Sequence, residues 1–249
     1  MKGSVNMAKS YEELKLGFER MAAAQACRNL MGKYSYLHTA MRHREYVGLW
    51  ADREDDLLVM PWGYYKGKQG VVTCYVQDHG DRNDPEVQNS PIFKGAMMMH
   101  AMDTAVVEVA GDCKTARGCW ISPGHESCFI PNPEKNPGWK KGDPITDDML
   151  EPSTEWAWSK YQVDFINENG EWKFWKMRLW PIYKTDFYVS WIDHPDMDAA
   201  DFPFKNYSPL PEPNWSWSPD SVYPANEPEP PLPYEHYEDL DLSLWERYV

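Results

Sequence analysis

Two short stretches of the chain carry residue types that could move a proton. In Met98-Met99-His100-Ala101-Met102, strand-like alternation puts Met98, His100 and Met102 on one face and Met97, Met99 and Ala101 on the other, so one imidazole stands in an apolar row. Such a histidine is either a hydrogen-bonded core residue or a base, because burial disfavours imidazolium and a neutral imidazole accepts a proton from a hydroxyl or a carbon. In the second stretch Tyr34 and His38 lie one helical turn apart and share a face, where phenol and imidazole could act together or His38 could simply be solvated. Asp164 could orient an imidazole or satisfy backbone groups. Trp62, Tyr161 and Trp180 suit either the lining of an aromatic pocket or an aromatic core.

Other chemistries lack their residues. His79, His125, His194 and His236 sit in unpatterned stretches, and no His, Asp and Glu trio has metal-ligand spacing, so no metal is expected. The dinucleotide, phosphate-loop and hydrolase-elbow signatures are missing, so no cofactor is expected. Five cysteines, Cys27, Cys74, Cys113, Cys119 and Cys128, are scattered without paired spacing and suggest reduced thiols in a cytoplasm. The net charge of −14 opposes binding to a nucleic-acid backbone or an anionic membrane. No apolar run approaches the ~20 residues of a membrane helix, and the N-terminus lacks the apolar core of a signal peptide. The 249 residues fit one elaborated domain.

The elements that must position these residues follow in order. Ser10-Tyr11-Glu12-Glu13 is a capping box, after which Leu14, Phe18, Met21, Cys27, Leu30 and Tyr34 keep near-helical spacing. A short helix is predicted over His43–Trp50, a strand at Leu57–Met60 with a return after Pro61-Trp62-Gly63, and a third helix over Gly70–Gln77. Asp78–Pro91 reads as a solvated loop. Phe93–Ile121 reads as two strands joined at Ala110-Gly111-Asp112, and a strand ends at Cys128-Phe129-Ile130. Residues 131–153 carry five prolines and no periodicity, which fits a lid-like loop. Two long strands, Trp156–Asn167 and Glu171–Tyr183, are joined by Asn169-Gly170. Alternation sets Tyr161, Val163 and Phe165 opposite Gln162, Asp164 and Ile166; on the return, Trp172, Phe174, Lys176, Arg178 and Trp180 share a face.

From Asp193 the chain holds 13 acidic residues against two basic ones and 11 of its 21 prolines, yet it is rich in aromatics. It reads as an extended arm, 193–249, that wraps the 1–192 body or a neighbouring subunit. Because helices cover one apolar sheet face and leave the other bare, a homo-oligomer, dimer or trimer, is expected.

The order of elements is an α+β plan with helices on a curved antiparallel sheet. Tyr34 leaving a long helix, Leu49-Trp50-Ala51-Asp52, the turn at Gly67 and Gly70, the strand ending at His100, Glu108-Val109-Ala110-Gly111-Asp112, Tyr161-Gln162-Val163-Asp164-Phe165, Gly170-Glu171-Trp172-Lys173 and Arg178 together resemble the SnoaL-like branch of the nuclear-transport-factor-two-like superfamily over about Tyr11 to Tyr183. The resemblance implies a cone-shaped α+β barrel with a ligand pocket at its open end. It also implies either a cofactor-independent dehydratase, isomerase, cyclase or lyase, or a non-catalytic binding or assembly module.

Relatives resembling scytalone dehydratase and bile-acid dehydratase use a pocket Tyr near the end of the first helix and a strand His, which match Tyr34 and His100. Where those enzymes carry an Asp just after that Tyr, this chain has Ser35. The lid, the arm and the aromatic pocket also resemble diarylpropane lyases of lignin breakdown, which release formaldehyde. Both chemistries need a base, a donor to the developing oxyanion or leaving group, and exclusion of water. His100 is the expected base and Tyr34 or Arg178 the donor, with His38 and Asp164 in support. Met98, Met102, Trp62, Tyr161 and Trp180 are the expected lining for a bulky aromatic or polycyclic substrate.

Overall fold

Helix α1 (Tyr11–Thr39) starts at the predicted capping box: Ser10 Oγ accepts from Glu13 N at 3.2 Å, and the Glu13 carboxylate accepts from Ser10 N at 2.6 Å. In this computed structural model, residues 9–132, 136–138, 146–193, 206–212, 217–220, 222 and 227–248 are described. The buried stripe of α1 is Ala23, Cys27, Leu30, Met31, Tyr34 and His38. Leu14, Phe18 and Met21, expected to face inward, are 58%, 71% and 73% exposed. Helical spacing marks a face, but what covers that face is decided elsewhere, and here the sheet lies against the later turns.

Helix α2 (His43–Val47) and strands β1 (Leu57–Met60) and β2 (Gly63–Lys66) fall where expected. The third helix differs. It starts earlier, as α3 (Gly67–Val72), and then widens into a π-helical segment at Thr73–Asp78. Such segments are rare and shift side chains off the ordinary helical faces. The loop that follows holds a short helix, α4 (Pro85–Asn89), capped by Asp84.

The predicted hairpin at Ala110-Gly111-Asp112 is present, but its first strand is split into two strands with different partners. β3 (Met97–His100) pairs with β6 (Gly124–Pro131), while β4 (Asp103–Val109) pairs with β5 (Thr115–Ser122) across the predicted turn. β7 (Leu150–Glu168) and β8 (Glu171–Asp186) form the spine, joined by Asn169 and Gly170 at φ 56° and 89°. Positive φ at both positions matches the turn that suits strand twist. The sheet order is β2-β1-β8-β7-β5-β4, with β6 on the early half of β7 and β3 beyond it. The β1·β8 pairing is parallel, where an antiparallel sheet was expected. The sheet is curved and open rather than a closed barrel, and the whole is a cone-shaped α+β fold.

β7 begins six residues before the expected Trp156, at Leu150, and so takes the end of the proline-rich segment into the sheet. Pro152 is tolerated because β7 pairs there only with β6, the pairing with β8 starting at Glu155, so the missing N–H deprives no second partner. Positions 133–135 and 139–145 of the expected lid lie outside the described residues.

Two bulges decide which side chains face α1. Asp164 pairs with Lys176 but Phe165 with Phe174, which leaves Trp175 as an extra residue, and Ile182 is extra in the same way near Ser159. The bulge at Trp175 turns Phe174 to the side of Met177 and Leu179, against the simple alternation. Tyr161, Val163, Phe165, Phe174, Met177 and Leu179 then pack with the buried stripe of α1 in the main core.

The opposite face is not bare. Leu57 and Val59 pack there with Trp245 and Tyr248, and Trp245 belongs to the short helix α5 (Ser243–Glu246) near the end of the arm. Tyr64 and Ser208 exchange backbone hydrogen bonds of 2.9 and 3.0 Å, and Gly111 N donates to Tyr234 O at 2.9 Å. The face that suggested a partner subunit is thus covered by described arm residues of the same chain, which removes that reason for an oligomer. Phe202, Phe204, Trp215 and Tyr223 of the arm lie outside the described residues. Among the described residues no helix is long and apolar enough to cross a membrane.

Candidate active site

The last turns of α1 aim Tyr34 and His38 into the core, as helical spacing predicted. A chain reversal at Met41, with φ 53°, then brings the first residue of α2 back against them. His38 Nδ1 lies 2.8 Å from His43 Nε2, and His43 Nδ1 lies 2.5 Å from the Gly80 carbonyl oxygen. His79, at the end of the π-helical segment, completes the group with its ring 5.8 Å from both His38 and His43. His79 Nδ1 donates to Cys74 O at 2.7 Å.

Burial governs the charge of these imidazoles. It lowers His38 well below the usual histidine range, helped by His43, His100 and His79. Burial and then His79 bring His43 to about 4, against the hydrogen bond to Gly80 that favours its charged form. His79 is lowered to about 4 by burial, opposed by its bond to Cys74. At neutral pH the three are uncharged bases. Among the described residues no three His, Cys, Asp or Glu side chains are placed to hold a metal ion; His38 and His43 bond each other instead.

His100 stacks on His38 with ring centroids 5.5 Å apart. Its backbone is tied to α1 by Ser35, whose Oγ donates to His100 O at 2.5 Å. On the side-chain side, His100 Nε2 sits 3.2 Å from Glu126 Oε1, which the β3·β6 register places opposite Met98 on the same face. Lys184 holds Glu126 at 2.7 Å and Glu155 at 2.8 Å. Burial raises the Glu126 carboxyl, but Lys184 and His100 outweigh it and hold the group well below the usual carboxylate range. An ionised carboxylate accepts only, so it draws an N–H from Nε2. His100 Nδ1 is buried and has no hydrogen-bond partner among the described residues. The imidazole lies against β6 because position 124 is glycine: a Cβ there would come within 2.5 Å of Nδ1.

Beside the imidazoles three phenols meet. Tyr75 donates to Tyr34 Oη at 3.2 Å, and the Tyr161 hydroxyl is also 3.2 Å from Tyr34 Oη. Tyr34 itself stacks on His38 at 5.4 Å. Burial pushes the Tyr34 phenol up to about 12, while the two neighbouring hydroxyls pull it back. Burial also raises Tyr75, Tyr46 and Tyr161 well above the usual phenol range.

The residues expected from the sequence divide into two groups. Tyr34, His38, His100 and Tyr161 come together on the inner face. Trp62 joins them with its ring 5.7 Å from His79 and its Nε1 donating to Tyr65 Oη at 2.9 Å. Met102 packs at the edge of the same core, and Met98 is half-buried on the His100 face of β3. Arg178, Asp164 and Trp180 lie on the other face of the sheet, under the arm. Arg178 pairs in register with Gln162, and its guanidinium stacks 4.4 Å over Trp180 and 5.6 Å over Tyr248. Asp164 accepts from Arg117 Nε at 2.6 Å, Arg117 Nη2 at 2.8 Å, Tyr237 Oη at 2.8 Å and Trp245 Nε1 at 2.6 Å. Strand alternation excludes side chains one residue apart from a single face, so neither Asp164 nor Arg178 reaches the imidazoles.

Glu126, Lys184, His43, His79 and Tyr75 were missed. The only local signal for His43 was its place just after a helix that already carried His38. Glu126 and Lys184 had no local signal, because strand pairing brings Glu126 to His100 and Lys184 to Glu126.

The family model described as a SnoaL-like domain matches residues 19–178, more than half of the chain. Among solved structures, a scytalone dehydratase candidate from Novosphingobium aromaticivorans DSM 12444 is 15% identical, covering 68% of this chain and 91% of its own, with a TM-score of 0.45. A type 2 hexachlorocyclohexane dehydrochlorinase is 17% identical over 73% of this chain and 99% of its own, with a TM-score of 0.45. A nuclear transport factor 2-like superfamily protein from Salmonella enterica is 10% identical over 68% and 98%, with a TM-score of 0.42. At such identities none of these names transfers an activity to this chain. Among curated proteins none matches it.

Proposed function

This chain belongs to the SnoaL-like domain family, and on that premise we propose that it is a cofactor-independent lyase acting by acid–base catalysis on a bulky, hydroxylated aromatic molecule. The observation that carries the reading is His100, held through Nε2 by the ionised Glu126 with Nδ1 unbonded, next to a phenol that two other phenols make the better donor. A carboxylate-backed imidazole is a base whose imidazolium is stabilised as it forms, and a polarised phenol serves the leaving oxygen.

His100 Nδ1 takes a proton from the substrate, the C–O bond of a neighbouring hydroxyl breaks with its electron pair going to the oxygen, and the pair of the second bond broken at the adjacent carbon, C–H or C–C, becomes the new double bond. The leaving oxygen takes a proton from Tyr34. One proton is taken and one given, and passage of the proton from His100 back to Tyr34 resets the site. If the proton comes from carbon, the C–H pair forms the double bond and water alone is lost; if it comes from a primary hydroxyl, as for a diarylpropane diol, the O–H pair forms the C=O of formaldehyde, the C–C pair forms the C=C bond, and formaldehyde and water are both lost. The rings of Trp62, Tyr161 and Tyr75 favour aromatic substrates by stacking and exclusion of water.

The test is incubation with a panel of diarylpropane diols and polycyclic alcohols, followed by mass spectrometry. Loss of formaldehyde or of water from any member supports the lyase. Binding without mass loss across the panel would replace the proposal with a ligand-binding module.

A further inference from the structure

His38 has one nitrogen committed and one open. Its Nδ1 is bound through His43 to Gly80, while no hydrogen bond to Nε2 is present among the described residues. At neutral charge that chain runs in one sense only. A carbonyl cannot donate, so His43 carries its proton on Nδ1. His43 Nε2 is then a lone pair, and His38 must carry its own proton on Nδ1 to donate to it. What remains on His38 Nε2 is an acceptor. The nearby phenols do not serve it, since Tyr75 donates to Tyr34 and Tyr46 to Met177 Sδ.

Building on the lyase reading, we infer that His43 is a positioning residue that fixes His38 as an obligate hydrogen-bond acceptor, and that this makes a free hydroxyl on the substrate a condition of recognition. The two stacked imidazoles then divide the work. His100 removes the reacting proton, and His38 holds a second hydroxyl so that the bond to be broken is aligned. A methyl ether at that hydroxyl leaves Nε2 buried without a donor and adds bulk where rings already pack at 5.4 to 5.8 Å from His38.

The first experiment needs no turnover. Long-range proton–nitrogen correlation spectra of the ¹⁵N-histidine-labelled full chain at neutral pH should show His38 and His43 neutral and protonated on Nδ1. A proton on Nε2 of His38 overturns the inference whatever the protein's activity. The second uses a 1,2-diaryl-1,3-propanediol and its mono-O-methyl ethers. The wild type should prefer the diol by at least about tenfold in kcat/KM, because a site built to bond a hydroxyl rejects analogues that lack it. His43→Phe keeps a ring but removes the acceptor and should erase the preference. His43→Gln, whose Oε1 can accept from His38 Nδ1, should restore it. Equal use of diol and ethers by the wild type, or a preference that survives in His43→Phe, overturns the inference. If no panel member is turned over, the lyase reading fails separately, and calorimetric affinities for diol and ether are compared in its place.

Discussion

On one side of β7, Asp164 is fully buried and two N–H groups of Arg117, the hydroxyl of Tyr237 and the indole of Trp245 all converge on it. On the other side, three residues away at Tyr161, four histidines and a set of phenols pack as tightly, yet His38 and His100 each have one ring nitrogen without a described hydrogen bond. Asp164 and the groups that donate to it saturate one another and tie the arm to the sheet. The polar groups of the second region are half-used. A buried network that is fully satisfied specifies structure, whereas open acceptors held in place by satisfied neighbours are costly for stability and useful for proton transfer. The difference sets Arg178 and Asp164 apart from the imidazoles: both lie on the arm-covered face, where Asp164 is saturated and Arg178 stacks on Trp180.

The comparison breaks first at its catalytic side. His100→Asn should lose about 10²–10⁴-fold in kcat on whichever panel substrate reacts, while its melting temperature stays close to that of the wild type. Arg178→Lys should change kcat by less than about twofold, since the guanidinium stacks under the arm. A large loss for Arg178→Lys with normal turnover for His100→Asn would invert the two faces.

The structural side comes next. Asp164→Ala leaves Arg117 buried with its carboxylate removed, which typically costs about 3–5 kcal/mol. Urea unfolding should report that loss, and limited proteolysis should cut near Tyr234–Tyr248 before the body. Unchanged stability would mean that the arm is held by apolar contacts alone.

A smaller effect sharpens the contrast through pH. His43 and His79 titrate near 4 when folded against about 6.5 when unfolded, so the unfolded chain binds more protons in that window. Stability is full above pH 6.5 and falls as pH drops towards 4, by about 1.4 kcal/mol per pH unit for each imidazole. Asp56 acts in the other direction, because burial pushes its carboxyl up to about 7 and its contribution is lost as pH rises. His43→Gln removes one imidazole and should narrow the stability difference between pH 5 and pH 7. An unchanged difference would show that His43 is not held neutral in the fold.

Much of this protein is written locally. The capping box at Ser10, the turn at Asn169-Gly170, the alternation that faces Tyr161, Val163 and Phe165 inward, and the shared helical face of Tyr34 and His38 all follow from neighbours within one or two turns of chain. Periodicity and turn chemistry are properties of short segments, so the sequence by itself determined the α+β plan and the inward placing of Tyr34, His38 and Tyr161. The remaining assignments cross the chain. Glu126 reaches His100 through the β3·β6 register, Gly80 reaches His43 across 37 residues, and Trp245 reaches Asp164 across 81. A bulge at Trp175 turns Phe174 inward against simple alternation, and the arm covers the face where a partner subunit was expected. Register, bulge position and the docking of the arm are fixed by long-range packing, where no local period carries the information, and so only the tertiary structure decided which polar groups were satisfied and which were left open.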